Sequence, residues 1–573
     1  MPYEVGISTG WWSLAKQSGG GGDLLGMAAK VAYGATAGIT FTQIDLETVT
    51  EFLEPDVQRK LKQITKGLGM KVGLHAETHA MALESADRVE WEQAHRRLVE
   101  AIHYSVKFGF VYLNIHTCEK QQLWTEEARI RPFGHQYQNV APDGLPFYHL
   151  CDRSAVVKEY LMNNLHPFDH SDDKNREEFL RKKKDEVRQA AFKDMYARII
   201  NSEGYKQRMA DWGQQLAENK ITAKDYNNLI AKLEREAGSE AMMHANREAE
   251  ENLGKHITSE EKYKVWKTSR FGKYFVHWGE IGAYLLVAHY MYKTGHPLWK
   301  QIAGDADPDD CYHSDQKKFN AAVSAFYIYT HLTLKDHEWN KKYLDGMNVI
   351  EYVNKNKFYL LFETPEAKGN ALEGLLRLYD PVHAYYFLKY VNSPYIKMCI
   401  DFEHVLSQKI EIEKMLKELP KDAGSMIHLF HLTKPVPYGG AAHIQLMRGS
   451  RTQEIIYKWL FELRKRGFKD GIMIYERGGG QHPQEVVKES VLVLRLFKEY
   501  LEKDIAPDEL PVSFYGISDQ NEPEFKRQLV SMRDHAWDPL AGMLMIPEEA
   551  HTFFSRSAVE KGKAEEWKKG KFR

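Results

Sequence analysis

The chain has 573 residues, of which 43% are hydrophobic and 28% charged, and its formal net charge is −2. That length suits two or more domains, or one barrel with large insertions, and that balance can bury a core and stay in solution. There is no global basic field to steer the chain toward nucleic acid, so only a local patch could do so. The four cysteines, Cys118, Cys151, Cys311 and Cys399, form no CxxC pair and no evident disulfide framework. That usage fits a reducing interior. The first residues, MPYEVGISTG, have neither a basic start nor an apolar run of the secretory kind. The most apolar stretch, residues 274–292, contains His277, Glu280 and His289. It is too short and too polar for a good membrane span and reads as a buried helix. A cytoplasmic protein is expected.

In chain order, eight short β-rich runs recur: 4–8 (EVGIS), 39–45 (ITFTQID), 71–75 (KVGLH), 111–116 (VYLNIH), 358–363 (FYLLFE), 397–401 (KMCID), 425–430 (SMIHLF) and 471–476 (GIMIYE). Near-continuous apolar character marks strands buried on both faces. Helical patterns lie between them at 55–67, 86–106, 403–419, 452–467 and 483–501. Such alternation predicts a parallel α/β sheet, and eight units predict a closed (β/α)₈ barrel.

One interval breaks the rhythm. Roughly 240 residues separate the fourth run from the fifth, where one βα unit needs roughly 30 to 40. The interval reads as helical. Thr222 and Asp225 resemble a capping box, with Leu229 and Leu233 one turn apart beyond it, and Gly295-His296-Pro297 should stop the apolar helix. The predicted organisation is therefore strands one to four in 1–120, a helical insertion in 121–340, strands five to eight in 341–503 and a C-terminal extension in 504–573. The insertion begins just after His116, at the C-terminal end of a strand, and returns to form the fifth strand, which ends at Glu363, so it is expected to cap the substrate entrance. An outward-leaning oligomerisation arm is the alternative, and the oligomeric state stays open. No internal repeat or low-complexity tract is visible.

Six consecutive strands end in, or run into, a residue that can bind a metal. His75 closes the third run, His116 the fourth and Glu363 the fifth. Asp401 closes the sixth, with His404 three residues on. His428 lies in the seventh run with His443 in its loop, and Glu476 closes the eighth. These are the residue types that hold zinc, manganese or iron. In a barrel, the C-terminal strand ends converge on one pocket, so residues far apart in sequence would surround one small volume.

Around these residues the sequence resembles the xylose-isomerase-like barrels, which include the endonuclease IV type of AP endonucleases and many sugar isomerases and epimerases. The resemblance covers residues 1–120 and 345–500 and is carried by VGLH (His75), LNIH (His116), LFETPEAKG (Glu363), IDFEH (Asp401, His404), IHLFH (His428), AAH (His443) and MIYE (Glu476). It implies a metal centre in which Glu363 bridges two ions, and zinc is the ion it favours. Two departures stand out. The Asp-x-His of the endonucleases reads Ala441-Ala442-His443, which leaves a third metal short of one acid, and the second run, TQIDLE, is closer to the epimerases.

Three functions follow as alternatives. The first is metal-dependent phosphodiester hydrolysis of damaged DNA with an abasic site, in which paired cations activate water and stabilise the leaving oxygen. The basic run Arg181-Lys182-Lys183-Lys184 and the basic C-terminal tail could then track phosphates, although acids are interleaved in both and a solvated helix face is the plainer reading. The second is isomerisation or epimerisation of a sugar or sugar phosphate. Glu363, Asp401, His428 and Glu476 would hold one manganese, cobalt or magnesium ion, Glu363 and Glu476 would act as acid and base, and Gly478-Gly479-Gly480 would approach a phosphate. The third is a binding module without catalysis.

Overall fold

The computed structural model describes residues 3–9, 26–36, 38–45, 49–76, 83, 88–117, 152–160, 162–163, 174–268, 279–366, 378–435, 443–476 and 483–516. Among these, eight strands run in sequence order around a closed barrel. They are β1 (Tyr3–Ser8), β2 (Phe41–Asp45), β3 (Lys71–His75), β4 (Tyr112–His116), β5 (Tyr359–Glu363), β6 (Ile396–Asp401), β7 (Ile427–His431) and β8 (Gly471–Tyr475). Every neighbouring pair is parallel, and β8 closes onto β1. The predicted barrel is the observed one.

The two-residue period of a strand builds the interior in layers. Phe41, Tyr112, Leu361, Cys399, Leu429, Ile472 and Ile474 form one buried apolar cluster. Two positions beyond a member of that cluster come Gln43, Asn114, Glu363, Asp401, His431 and Glu476, all buried. A polar layer therefore sits on an apolar floor, at the C-terminal end of the strands. Gly73 belongs to the floor: a side-chain carbon there would lie 2.2 Å from the Tyr112 ring. His75 follows two residues later.

Helices alternate with the strands where the periodicity placed them. Pro55–Leu68 starts on proline and stops at left-handed Gly69 (φ 63°). Others are Arg88–Phe108, Arg451–Lys465 and Pro483–Glu502. The single helix expected over 403–419 is two, Phe402–Ser407 and Ile412–Glu418, because Lys409 takes a left-handed conformation (φ 61°) between them.

The chain divides into two compact units. The first comprises Met1–Ser85, Glu90–Gln121 and Pro297–Arg573 and contains the barrel. It also takes in residues 297–340, which the sequence assigned to the insertion. The reason is packing: helix Gln316–Thr333 is buried along most of its length and lies against helix Pro381–Val391. Of the C-terminal extension, the part up to residue 516 is described, and Phe514 is tied to the barrel unit where Gln453 donates to its carbonyl (2.8 Å). Cys311 and Cys399 are buried free thiols, while Cys118 and Cys151 lie outside the described residues.

The second unit comprises Ala86–Val89 and Gln122–His296. Helices Lys174–Asn201 and Ala223–Glu251 pack along one another. Leu233, Ala237, Ala241, Ala245 and Ala249 recur every four residues on the buried face of the second. The capping box forms as expected: Thr222 Oγ1 accepts from Asp225 N (3.1 Å) and Asp225 Oδ2 accepts from Thr222 N (3.2 Å). In helix Gly279–Lys293, Leu286, Val287, Ala288 and Met291 are buried and His289 stacks on Tyr160 at 4.0 Å. Left-handed Gly295 (φ 62°) ends the turn that follows it. Among the described residues no helix is long and apolar enough to cross a membrane.

The barrel unit also carries histidines that burial keeps neutral. His95 Nε2 donates to Asn340 Oδ1 (2.6 Å), since the Asn340 amide nitrogen is committed to the carbonyls of Leu334 and Met347. Burial lowers the His95 imidazole to about 4 against the weaker opposing effect of Asn340. His331, 3.2 Å away through Nδ1, is held well below the usual range by burial and by His95. Because the folded value lies below the unfolded one, the unfolded chain takes up protons between pH 6.5 and about 4 that the folded chain refuses. Stability is therefore expected to fall as pH drops through that window, by roughly 3 kcal/mol from His95 as an upper bound. Urea melts at pH 7, 5.5 and 4.5 check this, and His95→Gln should flatten the dependence. An unchanged slope in that variant would show that His95 does not resist protonation.

Candidate metal centre

The site is built from the ends of β3 to β8. Register sets His116 beside Glu363 and Asp401 beside His431. Glu363 lies at its centre and is fully buried. Its Oε2 accepts from Asn114 Nδ2 and lies 3.1 Å from His75 Nε2 and 3.6 Å from His116 Nε2. Its Oε1 lies 2.9 Å from His431 Nδ1 and 3.4 Å from His404 Nδ1. Glu476 Oε2 reaches the same His431 nitrogen at 3.0 Å and His443 Nδ1 at 3.9 Å.

The polar layer also orients these groups. The His431 ring is fixed at its far side, where Nε2 donates to Gln43 Oε1 (3.0 Å), itself held by the Tyr112 hydroxyl (2.8 Å). That bond selects the tautomer and turns Nδ1 toward the carboxylates. Asp401 Oδ1 accepts the backbone N–H groups of Glu403 (2.6 Å) and His404 (3.1 Å), so it starts helix Phe402–Ser407 and presents both side chains. Across the mouth, Lys434 and Ile444 form an isolated antiparallel bridge that brings the loop back at His443, which adopts a left-handed φ of 45°. For a residue with a side chain that conformation is strained.

Of the residues read from the sequence, His75, His116, Glu363, Asp401, His404, His443 and Glu476 are brought together. His428 is not. The strand ends one residue later than predicted, at His431, and β7 carries a bulge where Met398 pairs with Ile427 and Cys399 with Leu429, leaving His428 as the extra residue. His428 therefore lies near the start of the strand, stacked on Tyr359 at 3.8 Å, and burial followed by the charge of Lys397 lowers it to about 4. His431 takes the place expected of it. The sequence held a signal for this in IHLFH, whose second histidine falls two residues after interior Leu429 as Glu363 falls two after Leu361. Gln43, Asn114 and Glu403 were also missed. Ala441, Ala442 and Gly478 to Gly480 lie outside the described residues.

The electrostatics fit a cation. Burial raises Glu363, but His431, His116 and His404 outweigh it and hold the carboxyl well below the usual range. Burial lowers His75, yet the hydrogen bond and charge of Glu363 push it up to about 9. Burial lowers both His431 and His404, yet Cys399, Glu363 and Glu476 raise the first and Asp401, Glu363 and Glu476 the second well above the ordinary imidazole value. Burial, with Glu476, Glu403 and Glu363 as like charges, pushes Asp401 up to about 7 against the opposing pull of His404. Its Oδ2 is buried with no hydrogen-bond donor among the described residues. Acids crowded this closely need positive charge, and protons on the imidazoles or divalent ions can supply it.

The donor atoms fall into adjoining groups, each within 4.8 Å: His75, His116 and Glu363; Glu363, Asp401, His431 and Glu476; His404, His443 and Glu476. Cys399 also lies within 4.8 Å of Glu363 and His431, beneath them.

No protein-family model and no curated protein sequence matches the chain. Solved structures do. D-psicose 3-epimerase matches at a TM-score of 0.38 and 9% identity, covering 87% of this chain and 99% of that one. Endonuclease IV from Thermus thermophilus matches at 0.34 and 11%, covering 87% and 99%. 3-Keto-D-glucoside 4-epimerase from E. coli matches at 0.35 and 6%, covering 86% and 99%.

Proposed function

We propose that the chain is a divalent-metal-dependent phosphodiester hydrolase whose substrate is DNA with an abasic site. The observation that supports this reading is the sharing of carboxylates: Glu363 belongs to three neighbouring donor groups and Glu476 to two. Bound zinc-type ions would supply an activated water and neutralise charge on the phosphate and the departing oxygen. His75 and His116 with Glu363 would hold one ion, and Asp401, His431 and Glu476 with Glu363 its neighbour. Asn114 donates to Glu363 Oε2 and Gln43 accepts from His431 Nε2, so each would hold its partner ready to act as a ligand. The basic run of the second unit offers less to DNA than its composition suggests. Lys182 is paired with Glu178 (2.7 Å), Lys183 with Glu261 (2.6 Å) and Lys184 with Glu250.

Sugar isomerisation is the second reading, favoured by one feature: Glu363, Asp401, His431 and Glu476 form a four-donor group by themselves. A single manganese-type ion there would leave Glu363 and Glu476 as candidate acid and base.

A labelled duplex with one abasic analogue, incubated with protein in zinc or manganese, tests the choice. The expected result is a single metal-dependent nick that a chelator abolishes, with two or three zinc ions per chain by elemental analysis. No nick, together with one exchangeable manganese and turnover of a ketose or its phosphate, would transfer the assignment to the isomerase.

A further inference from the structure

We propose that Cys399 is a ligand of the central cation and gives the ion between Glu363 and His431 a thiolate from beneath. The inference rests on the reading of this centre as one that holds divalent ions. It names the kind of ion and does not depend on the substrate.

Cys399 is fully buried and belongs to the apolar floor of the barrel. Its buried neighbours there are hydrocarbon side chains, apart from Tyr112, whose hydroxyl donates to Gln43 (2.8 Å). Register sets Cys399 beside Glu363, and Asp401 follows it two residues later on the same face of β6. A sulfur therefore lies under the layer of carboxylates and imidazoles, within 4.8 Å of ligand atoms of both Glu363 and His431. The three side chains offer one carboxylate, one imidazole and one sulfur, all of which zinc accepts.

Two observations independent of the cysteine point to a cation above it. His431 Nε2 donates to Gln43, so the neutral ring turns the lone pair of Nδ1 toward Glu363 Oε1 at 2.9 Å. Two acceptors that close need positive charge between them, a second proton or a metal ion. Asp401 Oδ2, fully buried, has no hydrogen-bond donor among the described residues, and Asp401 shares a donor group with the same Glu363 and His431. A cation placed for these three residues meets the Cys399 sulfur on the floor side. Coordination would exchange the S–H bond for a sulfur–metal bond and pass one proton to solvent. A soft thiolate favours zinc over magnesium or manganese, which prefer oxygen. One cysteine in the floor would thus bias the centre toward zinc.

The test loads the full-length protein with cobalt(II) and reads its absorption spectrum, with no activity readout. Wild type should show a sulfur-to-cobalt charge-transfer band in the near ultraviolet beside the weaker visible bands of the ion. Cys399→Ala, which keeps the floor apolar, should still bind cobalt but lose the charge-transfer band. Cys118→Ser, Cys151→Ser and Cys311→Ser should each keep it. Bound cobalt without that band in wild type, or a band that survives Cys399→Ala, overturns the proposal and leaves Cys399 as a packing residue. If Cys399→Ala does not fold, X-ray absorption at the zinc edge decides, measured on the Cys118→Ser, Cys151→Ser, Cys311→Ser triple variant. Sulfur at roughly 2.3 Å from zinc supports the ligand, and a shell of nitrogen and oxygen alone refutes it. A protein that binds neither cobalt nor zinc overturns the metal reading together with this one, whereas bound metal without sulfur removes the thiolate alone.

Discussion

Glu363→Ala is expected to lose more bound metal and more activity than any surface change. The carboxylate faces four imidazoles within 3.6 Å, and it belongs to three of the donor groups. Its loss removes an oxygen from each group and leaves the imidazoles with no central acid. Changing an outer partner of a metal ligand typically costs 10–100-fold, so loss of a shared ligand should exceed about 100-fold in metal affinity and in turnover. His75 gives an independent readout in metal-free protein. Burial lowers that imidazole, and Glu363, ahead of Asp45 and Glu476, raises it to about 9, so in the variant it should titrate at lower pH by NMR. Wild-type metal content in Glu363→Ala would overturn the assignment of the centre.

The second large effect separates two histidines three residues apart. His431→Ala should remove a ligand from the central group and free Gln43 and Glu476 from their partner, with a loss comparable to that of Glu363→Ala. His428→Ala should leave metal content and turnover within about twofold. It removes only a ring stacked on Tyr359, worth about 0.5–1.5 kcal/mol. It also removes an imidazole that burial and Lys397 hold down at about 4, so acid sensitivity should ease slightly. Elemental analysis and urea melts of the two variants make the comparison. Equal metal loss in both would place the centre elsewhere on β7.

Gln43→Leu lies between these cases. It leaves every metal donor in place but frees the His431 ring, so metal affinity should fall by about 10–100-fold while the fold is kept. Normal affinity would show that packing alone orients His431.

The sequence by itself determined the barrel, because eight near-continuous apolar runs separated by helical periods have few other ways to bury themselves. It also placed at the strand ends side chains of the types that can hold a metal. VGLH, LNIH and LLFE each end on the residue that the structure turns inward. Local signals in the second unit were equally legible, as with the capping box at Thr222 and the stop at Gly295. Tertiary structure decided what depends on register and on distant partners. A one-residue error at a strand end changes which side chain faces the axis, and a bulge displaces a histidine without any mark in composition. That is why His431, and not His428, stands beside Glu363. Residues 297–340 joined the barrel unit because helix Gln316–Thr333 found a partner far along the chain in helix Pro381–Val391. Nothing in IDFEH marks Glu403 apart from a surface acid, yet it is buried. Only the return of the loop after β7 sets the backbone N–H of His443 3.1 Å from its carboxylate.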